Sequence, residues 1–328
     1  MGSPEKSPDD HGYEARKANI RRRDFLKTVC SVPVAMAAAK HIESASASPA
    51  DKSKLPQIAF GKYSFSRLIL GSNPFHAGSH LSVFVNREMN AYYTTEQKLK
   101  TIRRCQEVGI NCWQGSGDHH EVYRLFRESG GQMHYITLTN EGPGLSKFME
   151  TMKEIGCLGI AHHGEVTDRA FKTGEIDTIR DFLKKVRDAG FLVGLSTHMP
   201  DVVDYVESKG WDVDYYMTCV YERHRDAKAL EKLLGHVPIP VGEVYLESDP
   251  PRMHKAMRQT KRPCLAFKIL AAGRLSERKE RVEQAFRRTF DGIKPNDAVI
   301  VGIYDRYSDQ QGEDAEYTRR FSPLSGKA

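Results

Sequence analysis

The sequence predicts an α/β protein folded as a (β/α)8 TIM barrel, and three observations carry that expectation. From about residue 56 onward, short and almost continuously apolar runs alternate with amphipathic stretches, which is the pattern of a parallel sheet covered by helices. Eight such runs fit into roughly 260 residues, the size of one closed barrel. No G-x-G-x-x-G follows an early apolar run, so the glycine fingerprint of an open dinucleotide-binding sheet is missing.

The eight expected strands are SRLILGS (66–72), INCWQ (110–114), MHYITLT (133–139), CLGIAH (157–162), FLVGLST (191–197), DYYMTCV (214–220), CLAFKIL (264–270) and DAVIVGI (297–303). Between them, TEQKLKTIRRCQEVG (95–109), EIDTIRDFLKKVRDAG (175–190) and ERVEQAFRRTFDGI (280–293) place apolar residues three and four apart, and several end in glycine, as helices do. The expected organisation is a leader over 1–50, a single barrel over 56–322 and a tail over 323–328.

The chain has 328 residues, 39% hydrophobic and 28% charged, and a net charge of +6. Its basic residues are interspersed with Asp and Glu, which argues for a solvated surface and against a nucleic-acid partner. The six cysteines show no C-x-x-C spacing and sit mostly in apolar segments, as buried thiols do.

The first fifty residues differ from the rest. RRRDFLK (21–27) leads into TVCSVPVAMAAA (28–39) and then SASASPA (44–50), with an A-x-A pattern at Ala45 and Ala47. The apolar part is too short to span a bilayer, so it predicts a cleavable signal without stable membrane insertion. The paired arginines before Phe25, Leu26 and Lys27 resemble a bacterial twin-arginine signal. That resemblance implies the twin-arginine export machinery as a partner, a periplasmic or otherwise extracytoplasmic destination, and folding around a cofactor or metal before export.

Active sites of such barrels lie at the C-terminal strand ends. There the sequence places His76 and His80 after the first strand, and Asp118, His119, His120 and Glu121 after the second. His162, His163 and Glu165 follow the fourth strand, His198 the fifth and Glu222 the sixth, while Lys268 lies in the seventh. Imidazoles and carboxylates converging from several strands suit a divalent zinc, manganese or iron ion acting as a Lewis acid. His76, Asp118, His119, His163 and Glu165 are the candidate ligands, and His162, His198 and Glu222 the candidate acid/base groups. Lys268 is a candidate Schiff-base amine, or else the ion-pair partner of Glu222 or Glu243. Trp113, Tyr221 and Phe75 are candidate sugar-stacking aromatics or rim packing. Gly273, Arg274 and Arg306 occupy the quarter where barrels commonly bind phosphate.

Two segments carry a family resemblance. AGFLVGLSTHMPDVVDYVESKGWDVDYYMT (189–218) and IKPNDAVIVGI (293–303) followed by QGEDAEYTRRF are similar to the aldo-keto reductase superfamily, and the likeness extends from GKYSFSRLILGSNPF to Phe321. It implies a barrel and, for reductase activity, NADP with an Asp, Tyr, Lys and His set. NCWQGSGDHHE puts Gln114 in the place of the Asp and a histidine near that of the Tyr, while Thr139 and Asn140 fall on the Thr-Lys pair. The resemblance retains only a histidine, His162. Two classes of enzyme therefore stay open: metal-assisted isomerase, epimerase or lyase chemistry on a sugar or other small carbonyl or polyhydroxy substrate, and an NADP-dependent oxidoreductase with a rearranged catalytic set. A ligand-binding barrel without catalysis is the third possibility.

Overall fold

The computed structural model describes residues 54–116, 119–239 and 243–322. The residues of the expected export signal, Asp118 and the tail at 323–328 lie outside the described residues. A hairpin of β1 (Gln57–Phe60) and β2 (Tyr63–Ser66) precedes eight strands: β3 (Leu68–Gly71), β4 (Cys112–Gly115), β5 (His134–Thr139), β6 (Gly159–His162), β7 (Leu192–Thr197), β8 (Tyr215–Cys219), β9 (Cys264–Phe267) and β10 (Ala298–Gly302). The eight pair in parallel in sequence order, and β10 closes onto β3 through Val299–Gly302 and Leu68–Gly71. The fold is a (β/α)8 TIM barrel.

Helices cover the outside: α1 (Val83–Tyr92), α2 (Thr95–Glu107), α3 (His119–Glu128), α4 (Leu145–Glu154), α5 (Gly164–Lys172), α6 (Ile179–Asp188), α7 (Pro200–Ser208), α8 (Ala227–Leu234), α9 (Asp249–Gln259), α10 (Lys279–Gly292) and α11 (Gln310–Phe321). Their starts follow local chemistry. The Thr94 hydroxyl accepts from the Gln97 amide at the head of α2, and Asp226 does the same for Ala229 at the head of α8. In α6, Ile179, Phe182, Leu183 and Val186 form the buried stripe that three- and four-residue spacing predicts. Among the described residues, no helix is long and apolar enough to cross a membrane.

Alternate strand residues face opposite sides of the wall. Ile160, Val193, Leu195, Tyr216, Val299 and Val301 face the helices, whereas Ile69, Cys112, Ile136, Ala161, Met217, Leu265 and Ile300 fill the barrel. Gly194 makes room inside for Tyr215, since a Cβ there would stand 2.3 Å from Cζ of that ring. Ile58, Phe60 and Phe65 of the hairpin belong to the interior cluster, with Phe60 stacked on Phe65 at 4.2 Å and against Tyr215 at 4.8 Å. The hairpin thus plugs the N-terminal end of the barrel.

All eight expected strands exist, with ends within two residues of the expected ones except in the seventh, and one helix starts differently. The seventh stops at Phe267 rather than reaching Leu270, because Lys268 takes a left-handed backbone conformation, φ +59°. The helix expected from residue 175 begins as a 3-10 turn, Ile176–Thr178, before α6. The plug hairpin is an addition the pattern reading did not contain.

Candidate active site

At the C-terminal strand ends lies a cavity of about 740 Å³. It draws on the loops after β3, β4, β6, β7, β8, β9 and β10. Three groups of polar side chains gather in or beside its wall.

The first group joins the loops after β6, β7 and β8. Asp168 of α5 is 2% exposed and accepts from the Thr197 hydroxyl at 2.5 Å, the His198 amide at 3.1 Å and His198 Nδ1 at 2.7 Å. With Nδ1 held, Nε2 is the atom left to His198, itself 5% exposed, for the cavity. The chain passes His198 closely at Gly164, where a Cβ would stand 2.9 Å from Ser196 Oγ and 3.2 Å from His198 Cε1. His224 lies edge-on to His198, ring centroids 5.1 Å apart. Its Nε2 is 2.7 Å from Glu165 Oε2, but the two are not aligned for a hydrogen bond. Donor atoms of Glu165, His198 and His224 all lie within 4.8 Å of one another. Burial lowers the pKa of both imidazoles, offset in part at His198 by Asp168 and deepened at His224 by Arg223, so both favour the neutral form that binds metal. Beside them, half-buried His163 carries a buried Nδ1 without a hydrogen-bond partner among the described residues.

Arg223 links this group to a second by pairing with both Glu165 and Glu243. Glu243 Oε1 meets His80 Nδ1 at 2.8 Å, and His80 Nε2 meets Lys268 Nζ at 2.9 Å. Burial opposes the charge on Glu243, yet Arg223, His80 and Lys268 outweigh it and hold the carboxyl below its ordinary value. Burial pushes His80 down to about 4 and the Lys268 amine down to about 8.

The third group is His76 with His119, Nδ1 to Nε2 3.4 Å. His119 packs against Trp113 and Phe75, its Nδ1 accepts the Ser116 amide, and burial pushes it down to about 3.

Several expected positions are corrected by this geometry. The only described donors that converge as a group of three or more are Glu165, His198 and His224. Of the expected ligands, Glu165 belongs to that group, His76 and His119 form their own pair, His163 lines the cavity nearby, and Asp118 lies outside the described residues. His162 is 2% exposed, bonded through Nδ1 to Thr167 at 2.8 Å and edge-on to Phe182 of α6, so it faces the helix layer and not the cavity. The pleat decides this: Ala161 and His163 point inward, and His162 between them points out. Glu222 is tied to Arg252 at 2.6 Å and Arg225 at 3.1 Å beside α9, away from the cavity lining. Arg274 spends its guanidinium on the His80 and Ala271 carbonyls and the Tyr245 ring, while Gly273 lines the cavity. Arg306 is near Glu88, at 3.8 Å, and over Tyr307. Trp113 and Phe75 are packing residues. Lys268 reaches Glu243 only through His80.

The pattern reading passed over Asp168, Arg223 and His224. His224 had a usable signal, since YERHRD directly follows the sixth strand. Asp168 had none, because it lies within a helix and meets His198 thirty residues later in the chain.

No protein-family model matches this chain, and no curated protein sequence does. Solved structures that resemble it include the glycerol dehydrogenase AKR11B4 from Gluconobacter oxydans, 12% identical over 83% of this chain and 98% of that one, TM-score 0.47. Others are a lactate oxidase from Pediococcus acidilactici, 10% identical over 82% and 73%, TM-score 0.47, and a FabK mutant from Thermotoga maritima, 11% identical over 72% and 60%, TM-score 0.39. The barrel assignment rests on the strand order itself.

Proposed function

We propose that this protein is an exported enzyme that performs divalent-metal-assisted acid/base chemistry on a small carbonyl or polyhydroxy compound, as an isomerase, epimerase or lyase does. The carrying observation is the convergence of Glu165, His198 and His224 within 4.8 Å, with His198 oriented by buried Asp168. A carboxylate behind a ligating imidazole raises its basicity and fixes its tautomer. One carboxylate and two neutral imidazoles suit zinc, manganese or iron. An ion held there supplies Lewis acidity toward a carbonyl or vicinal hydroxyls. His163, which lines the cavity beside these donors, would be the group placed to accept a proton next to a polarised carbon. The twin-arginine-like leader is consistent with a metal loaded before export.

The NADP reading is less well supported. The cavity's far end, between β10 and α11, is lined by Glu277, Glu313 and Asp314. Lys279, the cation among the lining residues there, is committed to Glu313 at 2.6 Å and so is not free for the phosphate of a cofactor.

The test is elemental analysis of protein purified without chelator or metal-affinity resin. Near-stoichiometric zinc, manganese or iron is expected, lost in His224→Ala and His198→Ala and retained in His162→Ala. Protein that takes up no metal after incubation and dialysis refutes the reading, and saturable quenching of tryptophan fluorescence by NADPH would replace it with the oxidoreductase.

A further inference from the structure

Five non-glycine residues among those described have positive φ: Ala77, His80, Lys268, Ala271 and Ala272. They occupy just two loops, after β3 and after β9, and both loops line the cavity. Left-handed backbone costs a side-chain-bearing residue about 1 kcal/mol or more, and such strain persists where the surroundings dictate it. Here it brings two side chains together, since the strained His80 and the strained Lys268 meet at 2.9 Å.

From this geometry we propose that Lys268 is a covalent amine that condenses with a carbonyl ligand in the cavity, with the His80–Glu243 pair as its proton relay. An ordinary buried lysine is neutralised by direct contact with a carboxylate. The hydrogen-bond partner of Lys268 Nζ is instead an imidazole, whose Nδ1 side faces Glu243. That arrangement makes Nδ1 the donor to Glu243 and leaves the Nε2 lone pair toward the amine. Glu243 in turn is engaged by Arg223, whose cation sits close enough to disfavour an ammonium. Burial works in the same direction, so a substantial share of the amine is uncharged near neutral pH.

The condensation balances without an added oxidant or reductant. The Nζ lone pair forms a bond to the carbonyl carbon as the C=O π pair moves to oxygen. One Nζ proton passes to His80 Nε2 and from there to that oxygen, giving a carbinolamine. The same imidazole then takes the remaining Nζ proton and passes it to the hydroxyl, which leaves as water as the nitrogen electron pair forms the C=N bond. Amine and carbonyl thus become imine and water. His80 acts here as a positioning residue and proton carrier.

These atoms differ from the Glu165, His198 and His224 donors, so this inference stands or falls separately from the metal reading. The full chain is incubated with glycolaldehyde or dihydroxyacetone and sodium borohydride, and modified lysines are located by peptide mass mapping. The expected result is a reduced adduct at Lys268 formed at least tenfold faster than at surface lysines. His80→Gln should slow that labelling at least tenfold while the metal content stays unchanged. His224→Ala should do the reverse. Absence of a Lys268 adduct with both probes, or labelling no faster than at surface lysines, overturns the proposal. Unchanged labelling in His80→Gln overturns the relay.

Discussion

Asp168 takes three hydrogen bonds from Thr197 and His198 while almost fully buried, and it shows how one carboxylate can serve stability and chemistry together. Asp168→Asn keeps the size but replaces an acceptor-only group with one that also donates, leaving a donor facing donors. Expected are a stability loss of about 1–3 kcal/mol in urea unfolding and a fall in metal affinity of roughly 10–100-fold in chelator competition. Unchanged affinity would mean that His198 does not depend on Asp168 for its orientation. At this scale the sequence located the rim but not the direction of each side chain. HH at 162–163 reads as two equivalent rim histidines, and the pleat sends one to Phe182 and the other into the cavity.

At the scale of elements, the plug hairpin is the piece on which the barrel's N-terminal end depends. Phe65 is fully buried between Phe60 and His134, and Gly61, φ +58°, opens the two-residue connection that folds β1 onto β2. Phe65→Ala removes a ring from a site walled by the barrel's own strands, so little collapse can fill the gap. The expected cost is about 3–5 kcal/mol in urea unfolding, and a cost below about 1 kcal/mol would show that the hairpin is dispensable to the core. The long helices were legible from their three- and four-residue periodicity, and the eight strands as nearly continuous apolar runs set between them. The hairpin strands, QIAF and YSFS, have no helical stretch between them to mark them as a βα unit, and their role as a plug depends on Tyr215 and Leu192 far along the chain.

For the molecule as a whole, the buried histidines set a pH response. Burial lowers His162 and His254 to about 4 from an ordinary 6.5. Between those values the unfolded chain binds protons that the folded one does not, so their contribution is complete above pH 6.5 and is lost as pH falls toward 4. Each can take away up to about 1.4 kcal/mol per pH unit across that window. Asp297 and Asp314, whose carboxyls burial raises, act in the opposite sense and remain in any histidine variant. The expected outcome is that His254→Gln flattens the fall in urea midpoint between pH 6.5 and 4.5 relative to the unsubstituted protein. Parallel curves would contradict it.

By itself the sequence determined the barrel, its strand order and the end at which polar groups gather, because hydrophobic periodicity is a local property that each segment carries. The tertiary structure alone decided which groups meet: Asp168 with His198, Glu165 with His224, and Lys268 with His80 and Glu243. Those pairings join residues from different βα units, and they depend on pleat phase, loop strain and ring orientation, which become definite only once the barrel has closed.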